Sequence, residues 1–226
     1  MPFDFEILDH ADSPLGVFIL RRLTREPYAI EIMLEHQFLM SSAVTVSERE
    51  LASRAIAMHG GTKLDVMIGG LGLGYTAKAA LDSDRVAHVE VVELVQAVIE
   101  WNRRGLVPLG LEVMADPRCQ VTHDDVYERL RRAPVKQHDL LIIDVDHSPD
   151  AHLGESSDSF YAREGLELAK RHLARDGVFG VWSTSESPAF EAELRAAFRE
   201  VRVDAIEFIN EAVGGSETNW LFFARA

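Results

Sequence analysis

The sequence has few of the features that mark secreted, membrane-spanning or disulfide-stabilised proteins. Cys119 is the only cysteine in 226 residues, so no disulfide can form within the chain and a reducing compartment is expected. No uninterrupted apolar run is long enough to span a bilayer. The first residues, MPFDFEILDHADSP, lack the basic and apolar regions of a signal peptide. We therefore expect a cytoplasmic protein with no membrane partner.

Basic residues are also scarce. The chain has 23 Lys and Arg against 37 Asp and Glu, which gives a formal net charge of −14. Such a charge repels phosphate backbones, so we expect no nucleic-acid partner, and it favours a cationic ligand. An alternative is that the charge only aids solubility. Hydrophobic residues make up 47% of the chain and charged residues 27%, values that are ordinary for a globular protein with a sizeable core.

The pattern of the chain changes near residue 46. Residues 1–46 contain short β-branched and aromatic runs between turn residues, which predict a small antiparallel β-rich N-terminal region. Ser47 and Glu50 fit a capping box that would open a helix. From there to residue 226, strand and helix patterns alternate, which predicts one catalytic domain of the doubly wound α/β class with a mostly parallel sheet. The predicted strands are Leu64–Ile68, Ala87–Leu94, Cys119–Thr122, Asp139–Asp144 and Val178–Ser183, and the predicted helices are Thr76–Leu81, Val95–Arg103, Val126–Arg132 and Phe160–Ala174.

The C-terminus predicts an antiparallel end to this sheet. Residues 201–209 and 218–226 both have strand patterns, and only eight residues join them. Because a parallel crossover needs a dozen or more residues, these two strands should form a hairpin. A doubly wound sheet that ends in such a hairpin is typical of class I S-adenosylmethionine-dependent transferases. It argues against a nicotinamide-dependent oxidoreductase, for which the glycine-rich loop would be the sole support.

A glycine-rich loop follows the first strand of the α/β region and precedes a helix. Glycines let the main chain approach a nucleotide, and the helix N-terminus offers free N–H donors. A carboxylate at the end of the next strand, Glu93, can then accept hydrogen bonds from ribose hydroxyls. The alternative is a tight turn without a ligand, but four glycines in six residues exceed what a turn needs. We therefore predict that a nucleoside-type cofactor contacts Gly69, Gly70, Gly72, Gly74, Glu93 and Leu94.

Two further strand ends carry acidic side chains. Asp124 and Asp125 follow the third strand, where one is expected to cap the next helix and the other to accept from an adenine amino group. Asp124 is favoured for the ligand. Asp144, Asp146 and His147 follow the fourth strand and could deprotonate an amine or balance a sulfonium. A solvated loop is the alternative reading, and no metal site is predicted because no ligand spacing supports one.

These motifs resemble the spermidine synthase family, the polyamine aminopropyltransferases. The segments that carry the resemblance are IGGLGLGYTAKAAL, VEVVELVQAVIEWNR, HDDVYERL, DLLIIDVDHSP and SFYAREGLELAKRHLARDGVFGVWS. The resemblance implies the class I methyltransferase fold and a small-molecule amine substrate, with Asp144 as the acid that activates the amine. It also implies S-adenosylmethionine or its decarboxylated form as co-substrate, and a homodimer formed through the N-terminal region.

The chain departs from the family pattern where the substrate is chosen. The family has an acid–aromatic–Ala–Tyr–His–Glu run, and the corresponding stretch here is AVTVSERELASRA, which places Ser53 and Arg54 at Tyr and His. An arginine suits a carboxylate, such as that of intact S-adenosylmethionine or an amino-acid-like substrate. By the resemblance, the leading hypothesis is aminopropyl transfer to an amine, and Ser53 and Arg54 favour the methyltransferase alternative. The alternatives are methyl transfer to a small molecule and a non-catalytic S-adenosylmethionine-binding relative.

Overall fold

Two β-sheets and the helices around them form the fold of this chain, which we describe from a computed structural model over residues 4–145, 148–150, 159–210 and 214–226. The N-terminal strands are β1 (Phe5–Ser13), β2 (Gly16–Leu23), β3 (Ile30–Leu34) and β4 (Gln37–Ser41). The other strands are β5 (Leu64–Gly69), β6 (Val86–Glu93), β7 (Cys119–His123), β8 (His138–Ile143), β9 (Leu173–Ser183), β10 (Glu200–Asn210) and β11 (Gly215–Arg225). The helices are α1 (Val46–His59), α2 (Tyr75–Leu81), α3 (Gln96–Arg103), α4 (Gly110–Ala115), α5 (Val126–Arg131), α6 (Arg163–Lys170) and α7 (Pro188–Ala197).

The first four strands pair as an antiparallel sheet in sequence order. The second sheet has the order β10-β11-β9-β8-β5-β6-β7, in which β9, β8, β5, β6 and β7 run parallel. Strand β11 is antiparallel to both of its neighbours, β9 and β10. The predicted fold class, with its C-terminal hairpin and small antiparallel N-terminal sheet, is confirmed.

Two hydrophobic cores cover the two faces of the seven-stranded sheet. One core joins α1, α2 and α3 to the sheet and also takes in side chains of the N-terminal strands, such as Leu20 and Ile32. The other joins α5, α6 and α7 to the opposite face around Phe179 and Phe222. Because both faces are buried, the central strands are apolar without alternation, as the sequence indicates. Within the described residues, no helix is long and apolar enough to cross a membrane.

Most element boundaries differ from prediction by a few residues, and three differences concern whole elements or a cap. Helix α6 ends at Lys170, and the expected helical residues Leu173 and Ala174 begin the long strand β9. Helix α4 is not predicted from the sequence at all. The capping box is wrong, because α1 begins one residue before Ser47, whose side chain turns into the protein interior. The division of the chain into two domains at residue 46 stays a prediction.

The glycine loop is held by a close approach between two chain segments. Gly70 has φ of +94°, and a Cβ atom at this position would lie 2.1 Å from the carbonyl oxygen of Asp144. The main-chain N–H of Asp144 donates to the carbonyl of Gly69 at 2.9 Å, so the ends of β5 and β8 are joined here. Only glycine fits this place, because both the backbone angle and the space exclude a side chain.

Gly70→Ala should therefore destabilise the protein more than an alanine at a glycine that has only the positive φ. Gly60, the C-cap of α1, is the matched control, with φ of +78° and no atom near its virtual Cβ. We expect Gly60→Ala to lower the unfolding free energy by about 1–2 kcal/mol and Gly70→Ala by at least about twice that amount. Urea denaturation measures both. Equal losses in the two variants would contradict the close approach.

Candidate active site

A cavity of about 780 Å³ opens at the carboxyl ends of the parallel strands, a volume that suits a small-molecule ligand. Its floor is the glycine loop, and its cover is the N-terminal sheet. A Cβ atom on Gly72 would lie 2.6 Å from the sulfur of Met40, the fourth residue of β4, so the two layers meet over the loop. Apolar side chains of the N-terminal sheet, among them Phe18, Ile32 and Leu39, line the cavity on this side.

Glu93, the last residue of β6, is buried in the cavity wall with 7% of its surface exposed. One carboxylate oxygen accepts from the N–H of Leu71 at 2.8 Å, and the other accepts from the N–H of Val95 at 2.8 Å. Burial raises the pKa of Glu93, and these main-chain hydrogen bonds oppose the rise. Since each carboxylate oxygen has two lone pairs, Glu93 can hold the loop and still accept from ligand hydroxyls.

Asp144 follows β8 directly and also faces the cavity. Its carboxylate accepts a hydrogen bond of 2.5 Å from the hydroxyl of Thr76, a buried residue in the first turn of α2. Burial raises the pKa of Asp144 to about 6, and the bond from Thr76 opposes the rise. The ionised form therefore predominates above this pH, and it can accept a proton from a bound group.

Glu48 is a second acid beside Asp144, and the sequence reasoning missed it. It lies in the first turn of α1, has 8% of its surface exposed and lines the cavity. Burial raises its pKa to about 7, with a further contribution from the charge of Asp144. The sequence gives little indication that Glu48 belongs to the site, because acids are common in the first turn of a helix, where they stabilise the helix.

The described residues that line the cavity are apolar, neutral polar or acidic. Six of them carry a carboxylate, and none of the described lining residues is Lys, Arg or His. The six acids are Glu31, Glu48, Glu93, Asp125, Asp144 and Glu217. Such a wall repels anions and attracts a cationic group.

Several predicted site residues lie where the sequence reasoning expected them. Gly70, Gly72, Glu93, Leu94 and Asp144 line the cavity. Gly69 ends β5, and Gly74 is the N-cap of α2 with φ of +87°, so both shape the loop without lining the cavity. Asp146 and His147 lie outside the described residues. The contacts of all these residues with a ligand stay predictions.

One of the two acids caps the next helix, as predicted, but the capping acid Asp125, and not Asp124, lies on the cavity wall. The carboxylate of Asp125 caps α5 by accepting from the N–H groups of Tyr127 and Glu128, and this residue lines the cavity. Asp124, favoured for the ligand, is absent from the cavity wall, and its carboxylate accepts two hydrogen bonds of 3.1 Å from Arg132. The guanidinium of Arg132 therefore holds Asp124 where the prediction placed an adenine.

Ser53 and Arg54 do not reach the cavity, contrary to the predicted substrate contacts. Ser53 is exposed, and the guanidinium of Arg54 donates to Glu50 at 2.6 Å and to Asp204 at 2.7 Å. The helix explains the difference. At roughly 100° per residue, Arg54 lies about 120° around the axis of α1 from Glu48, which faces the cavity.

Asn102 is a further residue that sequence reasoning missed. Its side chain is fully buried, and its amide nitrogen donates to the carbonyl of Gly72 at 2.9 Å and to that of Val98 at 2.9 Å. It thereby fixes the glycine loop from behind. An asparagine inside an amphipathic helix gives no sequence signal for this contact.

The chain is similar in sequence and structure to proteins described as polyamine aminopropyltransferases or spermidine synthases. The family model for the spermine/spermidine synthase domain matches residues 46–208. A polyamine aminopropyltransferase of Prochlorococcus marinus strain MIT 9313 is 29% identical over 149 residues, which cover 66% of this chain and 47% of that protein. Polyamine aminopropyltransferase 1 of Streptomyces coelicolor is 34% identical over 127 residues, which cover 55% of this chain and 23% of that protein. The chain thus spans about half or less of the length of these curated relatives.

Solved structures agree on the fold. A spermidine synthase in complex with the transition-state analogue AdoDATO superposes with a TM-score of 0.75 at 18% identity, over 97% of this chain and 72% of that one. The spermidine synthase from Thermotoga maritima gives a TM-score of 0.74 with the same identity and coverage. At this level of identity the likeness establishes the fold.

The raised pKa of Glu48 predicts how stability depends on pH. Because the folded protein holds this proton up to about pH 7, while a free Glu releases it near pH 4.5, the folded state loses stability as pH rises between these values. Glu48→Gln should abolish this loss of stability, because the neutral amide carries no charge that must be buried. We expect the variant to be more stable than the wild type by about 3 kcal/mol at pH 8 and nearly equal to it at pH 4.5.

Thermal or urea unfolding at the two pH values checks this expectation. Glu50→Gln is the control, because Glu50 lies on the same helix and pairs with Arg54 outside the cavity. A Glu48→Gln variant that is no more stable than the wild type at pH 8 would show that Glu48 is not ionised against a desolvation cost.

Proposed function

The chain belongs to the spermine/spermidine synthase family, and from this premise we propose that it transfers an aminopropyl group from decarboxylated S-adenosylmethionine to a primary amine. The observation that carries the proposal is the cavity wall, in which Asp144 and Glu93 flank the glycine loop and no described lining residue is basic. The donor would bring a cationic sulfonium and an ammonium group to this acidic wall.

The residues of the cavity fit such a donor. Glu93 is the acid for the ribose hydroxyls, since it ends the strand beside the glycine loop and keeps lone pairs free. Gly70 and Gly72 leave room for a nucleoside next to the main chain. Asp125, rather than Asp124, is the acid on the wall near the place expected for the base.

The same wall favours the decarboxylated donor over S-adenosylmethionine itself. Intact S-adenosylmethionine carries a carboxylate, which would need a basic partner in a buried site. The residue predicted for that task, Arg54, is paired with Glu50 and Asp204 outside the cavity. A carboxylate on the acceptor would lack a basic partner in the same way, so an amino-acid-like acceptor is disfavoured.

Asp144 would act as the proton acceptor. The donor supplies an electrophilic carbon next to its sulfonium. Asp144 takes a proton from the acceptor ammonium, which leaves a lone pair on nitrogen to form the new N–C bond while the C–S bond breaks and its electrons stay on sulfur. Thr76 fixes the carboxylate for this transfer through its hydrogen bond. Burial between the two sheets keeps the reacting groups from bulk water.

Asp144→Asn tests the proposal directly. The wild type, given decarboxylated S-adenosylmethionine and linear diamines, should release methylthioadenosine, and chromatography detects this product. Asparagine keeps an acceptor for Thr76 but takes up no proton, so turnover should fall by about 10²–10⁴-fold with unchanged affinity for methylthioadenosine.

Asp82→Asn is the control, because Asp82 is an acid paired with Lys78 outside the cavity. Release of S-adenosylhomocysteine from S-adenosylmethionine, with no methylthioadenosine from the decarboxylated donor, would replace aminopropyl transfer by methyl transfer. Full turnover in Asp144→Asn would remove Asp144 from the reaction.

A further inference from the structure

We infer that Glu48 is a substrate-binding residue that holds one ammonium group of the substrate jointly with Asp144. The inference rests on the proposed function and assigns a role that the sequence comparison placed elsewhere, on Ser53 and Arg54. It is carried by the geometry around Ser47, Thr76 and the cavity wall.

Glu48 and Asp144 come from different elements and meet at one place. Thr76 contacts both residues: its hydroxyl donates to the carboxylate of Asp144 at 2.5 Å and lies 3.3 Å from the main-chain carbonyl oxygen of Glu48. The charge of Asp144 also raises the pKa of Glu48, so the two carboxyl groups lie near each other. Both acids line the cavity. A group bound there is therefore within reach of a carboxylate from the start of α1 and of another from the end of β8.

Ser47 fixes the orientation of the Glu48 carboxyl group. The indole N–H of Trp182 and the amide of Asn219 donate to the Ser47 hydroxyl oxygen at 2.9 Å and 2.8 Å. These two bonds use both lone pairs of the hydroxyl, so its hydrogen points to Glu48, 2.8 Å away. Ser47 is fully buried, and the three elements β9, β11 and α1 join at this one hydroxyl.

No described residue of the cavity wall neutralises this carboxylate. Its hydrogen-bond donors are the Ser47 hydroxyl and its own main-chain N–H, which are neutral. Arg49 contributes a favourable charge, but its guanidinium lies over the ring of Tyr75, 4.8 Å from the centroid, and does not line the cavity. A buried carboxylate with neutral partners is costly unless a cation binds to it. The ligand supplies that cation.

A primary ammonium satisfies both acids at once. Its three N–H donors allow one bond to Glu48, one to Asp144 and one to another acceptor. If the ammonium is that of the acceptor, Asp144 takes one of its protons for the reaction, and the N–H bond to Glu48 keeps the nitrogen in place. Glu48 therefore binds and positions the nitrogen, and Asp144 remains the proton acceptor. The ammonium could belong to the acceptor or to the aminopropyl group of the donor.

Glu48→Gln separates these cases by calorimetry with three probes. Methylthioadenosine has no ammonium, so its affinity should not change. Decarboxylated S-adenosylmethionine reports on the donor ammonium, and 1,4-diaminobutane added with methylthioadenosine reports on the acceptor ammonium. We expect one of the two cationic probes to bind about tenfold to a hundredfold more weakly, because a charge-assisted hydrogen bond is lost. The probe that loses affinity shows whether Glu48 holds the ammonium of the donor or that of the acceptor.

Steady-state kinetics distinguishes a binding role of Glu48 from a purely structural one. KM for the affected substrate should rise by the same factor, while kcat falls less than tenfold. Glu48→Asp should recover part of the affinity because it restores the charge, and Glu50→Gln should match the wild type.

Two results overturn the inference while leaving the proposed function intact. One is unchanged binding of both cationic probes by Glu48→Gln, and the other is an equal loss of affinity for methylthioadenosine. A wild type that binds methylthioadenosine but neither cationic probe overturns the inference and the proposed function together. A wild type that binds the cationic probes through Glu48 but forms no methylthioadenosine from the donor contradicts the proposed function alone.

Discussion

The close approach of Gly70 to the main chain of Asp144 is the constraint on which the site depends. It brings the loop after β5 against the end of β8, so that the acid of one strand lies beside the glycine loop of the other. Glu93 then secures the loop from the neighbouring strand by accepting the N–H of Leu71. Without a glycine at this position the two strand ends would separate, and the carboxylates could not share one cavity.

Three acids of the cavity, Glu48, Glu93 and Asp144, are fixed by neutral donors instead of by cations. Main-chain N–H groups hold Glu93, the hydroxyl of Thr76 holds Asp144, and the hydroxyl of Ser47 holds Glu48. Hydroxyl and amide donors orient a carboxylate without cancelling its charge, whereas a lysine or an arginine would cancel it. The protein therefore keeps a negative potential in a buried place at a cost in stability, which is a recurring property of functional sites.

Local patterns predicted the fold and the part of the site that lies at strand ends. The glycine loop, Glu93 and Asp144 are readable because a parallel sheet places the ends of its strands at one edge. The roles of Glu48 and Ser47 cannot be predicted from the sequence, since Ser47 holds Glu48 and is itself bonded to Trp182 and Asn219, more than a hundred positions away. Arg54 was misassigned because a motif aligned by sequence alone does not say which face of α1 meets the cavity.

Under the proposed function, the same acids that attract the decarboxylated donor also exclude its precursor. S-adenosylmethionine differs by one carboxylate, which is costly to bury without a basic partner. Placed among Glu48, Asp144 and the other acids of the wall, that carboxylate meets like charges and no described basic partner. Specificity of this kind comes from repulsion of the wrong ligand as much as from attraction of the right one. This chain departs from the family pattern at the start of α1, but the cavity remains acidic there. On that helix, Glu48 supplies the carboxyl group.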